Sequence, residues 1–289
     1  MQLRRQIEVV CQIAIGDYGP RRVVRGQVVG PRQTSDIWVR VHNQMAFASA
    51  DFAERVPSML VGPTDDPQRY CVKFLLSAGT DSALDIIELI FREIDTTVRE
   101  QLGSASDIPD EAIKMLNRLF QDHRVGYQFS GGRLIRVDSL FLHEQAVEPA
   151  LTLLHSEGFE GPIREFMDAH AHFRHRRYPD ANHNALKAFE STMKAICKDR
   201  AWPYDPNDNA KKLLDILMEN GLIPAPLRSH LTGLRTTLES GLPTVRNNMG
   251  GHGQGPEVVD IPEHIAAYAL HLAATNIVLL VEAHRATPR

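Results

Sequence analysis

The hydrophobic pattern of this chain changes character near residue 82. From there Leu84, Ile87, Leu89, Ile90, Phe91 and Ile94 recur on one broad helical face, with Asp81 or Ser82 able to cap it. A second helix is predicted from about Pro109, where Ile113, Leu116, Leu119 and Phe120 keep helical spacing. Val125, Tyr127 and Phe129 then alternate, Ser130-Gly131-Gly132 turns the chain, and 134–137 returns, which reads as a short β-hairpin. A helix followed by a hairpin suits either a DNA-contacting winged-helix fragment or a small structural flap, and the flap is the better reading.

After His143 the helical period dominates. Helices are predicted at 143–156, 161–177, 180–199, 208–220, 226–240 and 262–284, separated by Gly158, Pro179, the run 202–206, Gly221 with Pro224, and Gly241 with Pro243. Gly221 suits a left-handed helix end, because it has no Cβ to clash there. Residues 1–80 mix Gly, Pro and β-branched positions, so short strands and an irregular lead-in are both open, while 61–68 reads as a loop. The expected fold is mainly α. A C-terminal helical bundle at 158–289 would follow a mostly helical N-terminal domain at 1–157 that carries the hairpin.

At 289 residues a two-domain chain is the natural expectation, and the ordinary apolar share of 43% excludes a disordered one. The net charge of −4 excludes a uniformly basic nucleic-acid binder. That charge is uneven, with seven arginines against three acids over 1–50 and ten basic residues against seventeen acids over 51–155. A polyanion would therefore have to meet a local patch. Arg exceeds Lys by 25 to 7, which suits phosphate contacts and also fits a biased genome. Cys11, Cys71 and Cys197 are too few and too scattered for a disulfide framework, and Cys197 reads as a small buried thiol. The uncharged stretch 265–281 falls short of the ~20 apolar residues of a membrane span and reads as a core helix. A reducing cytoplasm is the expected location.

The most unusual segment is 245–255, Val-Arg-Asn-Asn-Met-Gly-Gly-His-Gly-Gln-Gly. Its glycines free the backbone to approach a ligand and turn amides toward an anion. Arg246 offers a permanently charged fork for a phosphate, and His252 a group that exchanges protons near neutral pH. These parts suffice for metal-free RNA cleavage. A base removes the ribose 2′-hydroxyl proton, the oxygen attacks the adjacent phosphorus, and a cation stabilises charge on the phosphoryl oxygens. Asn247, Gly250, Gly251 and Gly253 would support the pair. The plainer alternative is a glycine-rich connector whose Arg246 and His252 cap helix ends.

Residues of about 160–285 resemble a HEPN domain of the abortive-infection C-terminal type. An Arg followed by a polar residue, then a His a few residues on, marks such domains, and Arg246-Asn247 with His252 fits. The stretch 184–194, Asn-Ala-Leu-Lys-Ala-Phe-Glu-Ser-Thr-Met-Lys, and the run Trp202-Pro203-Tyr204-Asp205-Pro206 leading to Lys211-Lys212-Leu213-Leu214 also match, in the right order. More weakly, 86–154, with Glu148-Pro149-Ala150-Leu151, resembles the N-terminal module of abortive-infection proteins related to AbiJ. The resemblance implies a metal-independent, cofactor-free ribonuclease of a defence or toxin system. It implies a homodimer with two Arg–His motifs near the shared interface, since one chain offers a single imidazole there. Some members keep the bundle without cleaving RNA, so the alternative is a noncatalytic RNA- or nucleotide-binding dimer acting in regulation or assembly. The N-terminal module would then receive a trigger or antitoxin.

Glu190 borders the stripe of Ala185, Phe189, Met193 and Ile196, with Cys197 at its edge. It either orients Arg246 or His252 or forms an i,i+4 pair with Lys194. His170, His172 and His175 invite a metal reading, but residues two apart on a helix point about 200° apart, so no metal site is expected. Arg174, Arg176 and Arg177 beside His175 are candidate RNA-phosphate contacts, or cations favoured at a helix C-terminus. Arg21, Arg22 and Arg25 share that ambiguity.

Overall fold

The computed structural model describes residues 1–19, 22–24, 27–29, 36–61, 65–103, 106–137, 142–227, 229, 231, 233 and 261–288. The chain divides into two compact units, Met1–Leu134 and Ile135–Arg289. Both are built mainly from helices, with two antiparallel two-stranded ribbons among the described residues.

The first unit opens with α1 (Gln2–Ile15), whose buried Ile7, Val10, Cys11, Ala14 and Ile15 recur at three and four residues. The ribbon β1 (Arg22–Val24) and β2 (Gln27–Val29) follows, paired in the register Arg22↔Val29. Then come α2 (Ile37–Ala48), α3 (Ala50–Ala53), α4 (Pro67–Ser77) and α5 (Thr80–Glu93). A π-helical turn, Ile94–Val98, leads from α5 into α6 (Arg99–Leu102), and α7 (Ile108–Asp122) closes the helical part. The described part of 1–80, left open by the sequence pattern, is therefore mostly helical, with one short ribbon. Of the loop expected at 61–68, residues 62–64 lie outside the described residues and the helix α4 already begins at Pro67, where the Asp66 carboxylate accepts the Arg69 amide at 2.9 Å. Trp38, Phe52, Phe74, Phe91 and Phe120 share one core with α1. The Trp38 indole reaches the Gly16 carbonyl at 2.9 Å, so its polar end is satisfied inside that core.

The hairpin is present as β3 (Tyr127–Ser130) and β4 (Arg133–Arg136), and Gly131 and Gly132 take the positive φ values of 54° and 79° that a tight turn requires. Asn117 on α7 both donates to the Phe129 carbonyl (3.0 Å) and accepts its amide (2.7 Å). The buried Glu88 on α5 accepts the Leu134 amide at 2.8 Å. Side chains of the helices thus occupy backbone groups that a strand neighbour would otherwise take. This supports the structural-flap reading.

The second unit contains a π-helical turn at His143–Val147, α8 (Glu148–Ser156), α9 (Glu160–Arg174), α10 (Tyr178–Asp199), α11 (Ala210–Glu219), a 3-10 turn at Ala225–Leu227 and α12 (Glu263–Ala286). Of the helix expected at 226–240, residues 234–240 lie outside the described residues. The division expected between 157 and 158 instead falls inside this unit. Ala146, Val147, Ala150, Leu153 and Leu154 share a core with Phe166, Phe189 and Leu280, so α8 folds with the helices that follow. By length and composition α12 could cross a membrane. Its Ala266, Leu270, Ala273, Ile277, Leu280 and Val281 are buried in that core, as expected of a core helix.

Several helices end in the same pattern of hydrogen bonds, from the amide of C″ to the carbonyl five residues back and from the amide of C′ to the carbonyl three residues back. At Gly158 and Gly221 the left-handed residue is glycine, as the sequence suggested for Gly221. At Arg124, Arg176 and Ala201 it carries a side chain, at φ values of 53°, 59° and 54°. The αL conformation costs such residues roughly 1–2 kcal/mol.

Candidate functional site

The turn between α9 and α10 sets the first part of the site. Arg176 occupies its left-handed position, with its amide bonded to the Phe173 carbonyl at 3.0 Å, and the Arg177 amide reaches the His172 carbonyl at 2.9 Å. Arg174 is half-buried in the last turn of α9, while Arg176 and Arg177 are exposed. Tyr178, the first residue of α10, rests against the Phe173 ring with centroids 5.6 Å apart.

Glu263, the first residue of α12, meets this turn. One of its oxygens lies 2.5 Å from Arg136 Nη2, and the other accepts the Tyr178 hydroxyl at 2.8 Å. The Arg136 guanidinium also lies over the Phe173 ring, 5.5 Å from its centroid. The hydrogen bond from Arg136, then that from Tyr178, hold the Glu263 carboxyl below its ordinary range, and the charge of Arg176 adds to the effect. Arg136 and Tyr178 lie 127 and 85 residues from Glu263 in sequence, so no local pattern announced the cluster.

Glu190 lies 12 residues beyond Tyr178, about 18 Å farther along α10. Its Oε1 accepts the amide of Ala210, the first residue of α11, at 3.1 Å. Lys194, the partner suggested by the i,i+4 spacing, instead donates to the Pro206 carbonyl at 2.8 Å. Asp208 accepts from the Asp205 amide and from Lys212, and Asn209 accepts the Lys212 amide. Glu190 and Lys194 therefore staple the connector 202–210, and Glu190 satisfies one of the four orphan amides that begin any helix. Two of the stretches that carry the sequence resemblance, 184–194 and 202–214, are thus joined in one structural unit.

At the other end of α10, Arg200 donates Nε–H to His284 Nδ1 at 3.0 Å. Its remaining donors cap carbonyls of His284, Thr287 and Pro288 at the end of α12. Because His284 Nδ1 accepts, the imidazole proton sits on Nε2, which faces Asp199 at 3.3 Å. This cluster was not anticipated either, again because its members are far apart in the chain.

His170 is buried, edge-on to Phe166 at 4.8 Å, and neither ring nitrogen has a hydrogen-bond partner. Burial, with the nearby His143 and His271, pushes its pKa down to about 3. No cluster of His, Cys, Asp and Glu able to hold a metal occurs among the described residues. All three cysteines are free and buried, and burial pushes the Cys197 thiol up to about 11.

Arg246, Asn247, Gly250, Gly251, His252 and Gly253 lie outside the described residues. On either side of their segment, Leu231 is fully buried and Ile261 packs on the same core.

Residues 160–284 match the family model Abi_C, described as a HEPN-like domain. The second unit carries a HEPN-like domain. The matched residues begin at 160, and α8 joins the HEPN-like core from outside them. The HEPN-like region includes α9 to α12 and the turn bearing Arg174, Arg176 and Arg177, while Arg136 precedes it. No curated protein and no solved structure matches the chain significantly.

Proposed function

We propose that the protein is a metal-independent endoribonuclease of a cellular defence or toxin system, acting on RNA as a homodimer. The observation that carries this reading is a HEPN-like match over 160–284 that encloses Arg246 and His252 with five residues between them. His252 exchanges the proton of the ribose 2′-hydroxyl, and Arg246 stabilises charge on the phosphoryl oxygens. A second chain contributes the second imidazole, so that one acts as base and the other protonates the leaving 5′-oxygen. Glu190 is a positioning residue, acting through the connector and α11. Asn247, Gly250, Gly251 and Gly253 shape the backbone around the pair, and Arg174, Arg176 and Arg177 contact RNA phosphates.

The outer face of α12 supports the dimer. Tyr268 is 52% exposed and Leu279 40% exposed, and with Thr275 between them they lie on one side of the helix. The N-terminal module expected at 1–157, whose residues 86–154 carry the weaker resemblance to AbiJ-related proteins, receives the trigger or an antitoxin. Three buried free thiols suit a reducing cytoplasm. The direct test is incubation of the full chain with single-stranded RNA in excess chelator. The proposal expects cleavage there and none of the corresponding DNA, which lacks the attacking hydroxyl.

A further inference from the structure

Glu263 sits where a phosphate would fit. Its two oxygens accept from a guanidinium and a phenolic hydroxyl, 2.5 Å and 2.8 Å away. A phosphodiester offers two non-bridging oxygens with the same demand. The cradle is built from several elements. Arg136 ends β4 and is supported by the Phe173 ring, Tyr178 begins α10, and Arg176 occupies the turn before it. Stacking on the ring restrains the Arg136 fork in the plane that a bidentate anion needs. Access is adequate too, since the Arg136 and Glu263 side chains retain 27% and 46% of their exposure.

We propose that Arg136, Tyr178 and Arg176 form a phosphate-binding subsite for RNA, and that the Glu263 carboxylate occupies it as an internal competitor until RNA displaces it. The inference rests on the ribonuclease reading for its ligand, and adds a subsite outside the Arg–His pair. Arg136 lies outside the residues matched by the HEPN-like model, so the subsite extends the binding surface beyond that domain. Glu263 begins the helix that follows the segment containing Arg246 and His252.

The test uses the full chain and a fluorescent single-stranded 2′-O-methyl RNA of mixed sequence, which keeps every phosphate but cannot be cleaved by 2′-oxygen attack. Fluorescence anisotropy is read across a salt series. Glu263→Gln, which removes the competing charge, binds about two- to fivefold tighter, the equilibrium equivalent of an exposed ion pair. Arg136→Ala binds more weakly and lowers the slope of log K against log salt by about 0.7, one single-strand phosphate contact. Arg136→Lys keeps most of that slope. Misfolding does not produce tighter binding, so the Glu263→Gln result separates competition from damage. Equal or weaker binding by Glu263→Gln, or an unchanged slope in Arg136→Ala, overturns the subsite while leaving RNA cleavage by the wild type intact. A wild type that neither binds this probe nor cleaves RNA overturns both the subsite and the reading beneath it.

Discussion

Arg200 and His284 pin the C-terminal ends of two parallel helices, with Arg200 Nε–H donated to His284 Nδ1 at 3.0 Å. Tyr178 and Glu263 meet at the opposite ends of the same helices. The HEPN-like domain therefore has α10 and α12 fastened at both termini, with the helix that carries Glu190 held beside the one that follows the Arg–His segment. An acid begins α12 and an Arg follows α10, each on the side favoured by the helix dipoles.

Arg200→Ala leaves the terminal carbonyls of α12 without their cap and His284 Nδ1 without its donor. The expected loss is about 1.5–3 kcal/mol, the usual cost of hydrogen bonds to a charged group. Urea unfolding at neutral pH measures it. A loss within error of zero would show that water replaces the cap.

Glu190→Gln keeps an oxygen for the Ala210 amide, whereas Glu190→Ala removes it. Glu190→Ala should lose about 1 kcal/mol of stability, like the loss of a helix cap. Because the residue acts through the connector and α11, Glu190→Gln retains most RNA cleavage and Glu190→Ala loses part of it in kcat with KM little changed. Equal inactivity of both variants would instead put the carboxylate in the chemistry.

Arg176 is subject to opposing demands. Arg176→Gly relieves the left-handed backbone and should stabilise the fold by roughly 1 kcal/mol, raising the thermal midpoint by about 2–4 °C. The same change removes a phosphate contact and weakens RNA binding. Stability and affinity moving in opposite directions is the expected signature. A rise in midpoint with unchanged affinity would leave Arg176 only its place in the turn.

His170 makes the second unit sensitive to acid. Its pKa of about 3 in the fold lies below that of an exposed histidine, so the unfolded chain binds a proton that the folded chain refuses. The contribution is fully present above about pH 6.5 and is lost at about 1.4 kcal/mol per unit as pH falls toward 3. His143 and His271 face His170, and Glu144 and Glu148 face His143, whose own pKa is lowered mainly by burial. His170→Leu should flatten the decline by about one proton between roughly pH 6 and pH 5 while leaving the part due to His143. Unfolding curves at the two pH values decide it, and an unchanged slope would contradict the assignment.

A charge on the outer face of α12 tests the dimer. Leu279→Glu places a carboxylate on that face without disturbing the buried Leu280 and Val281 beside it. Light scattering at about ten micromolar, where a complex of micromolar affinity is mostly assembled, should change from dimer to monomer, with helical content retained and cleavage lost. A variant that stays dimeric would move the interface elsewhere.

The helices after residue 80 were legible because burial of one face imposes a period that survives in the sequence, as in α5 and α10. The first helix carries an equally good stripe from Ile7 to Ile15. It was obscured by Val9 and Ile13, which are 53% and 66% exposed and fill the pattern with apolar residues on both faces. The division of packing between Leu134 and Ile135 leaves no mark in the sequence, because β4 and α8 announce no break, and only packing shows that Leu154 lies in the core of Phe189. Glu190 was noticed from its position beside the stripe, yet its partner is a backbone amide, which has no signature in a sequence. Arg136, Tyr178 and Glu263 escaped notice for a related reason, since ion pairs between distant elements leave no period.

The decisive measurement compares wild type with His252→Ala on a single-stranded RNA in excess chelator, with end-group analysis of the products. The account predicts that the wild type leaves 2′,3′-cyclic phosphates and 5′-hydroxyls, and that His252→Ala, still folded and dimeric, leaves the RNA intact. Equal cleavage by the two proteins, or an absence of cleavage by the dimeric wild type, would contradict it.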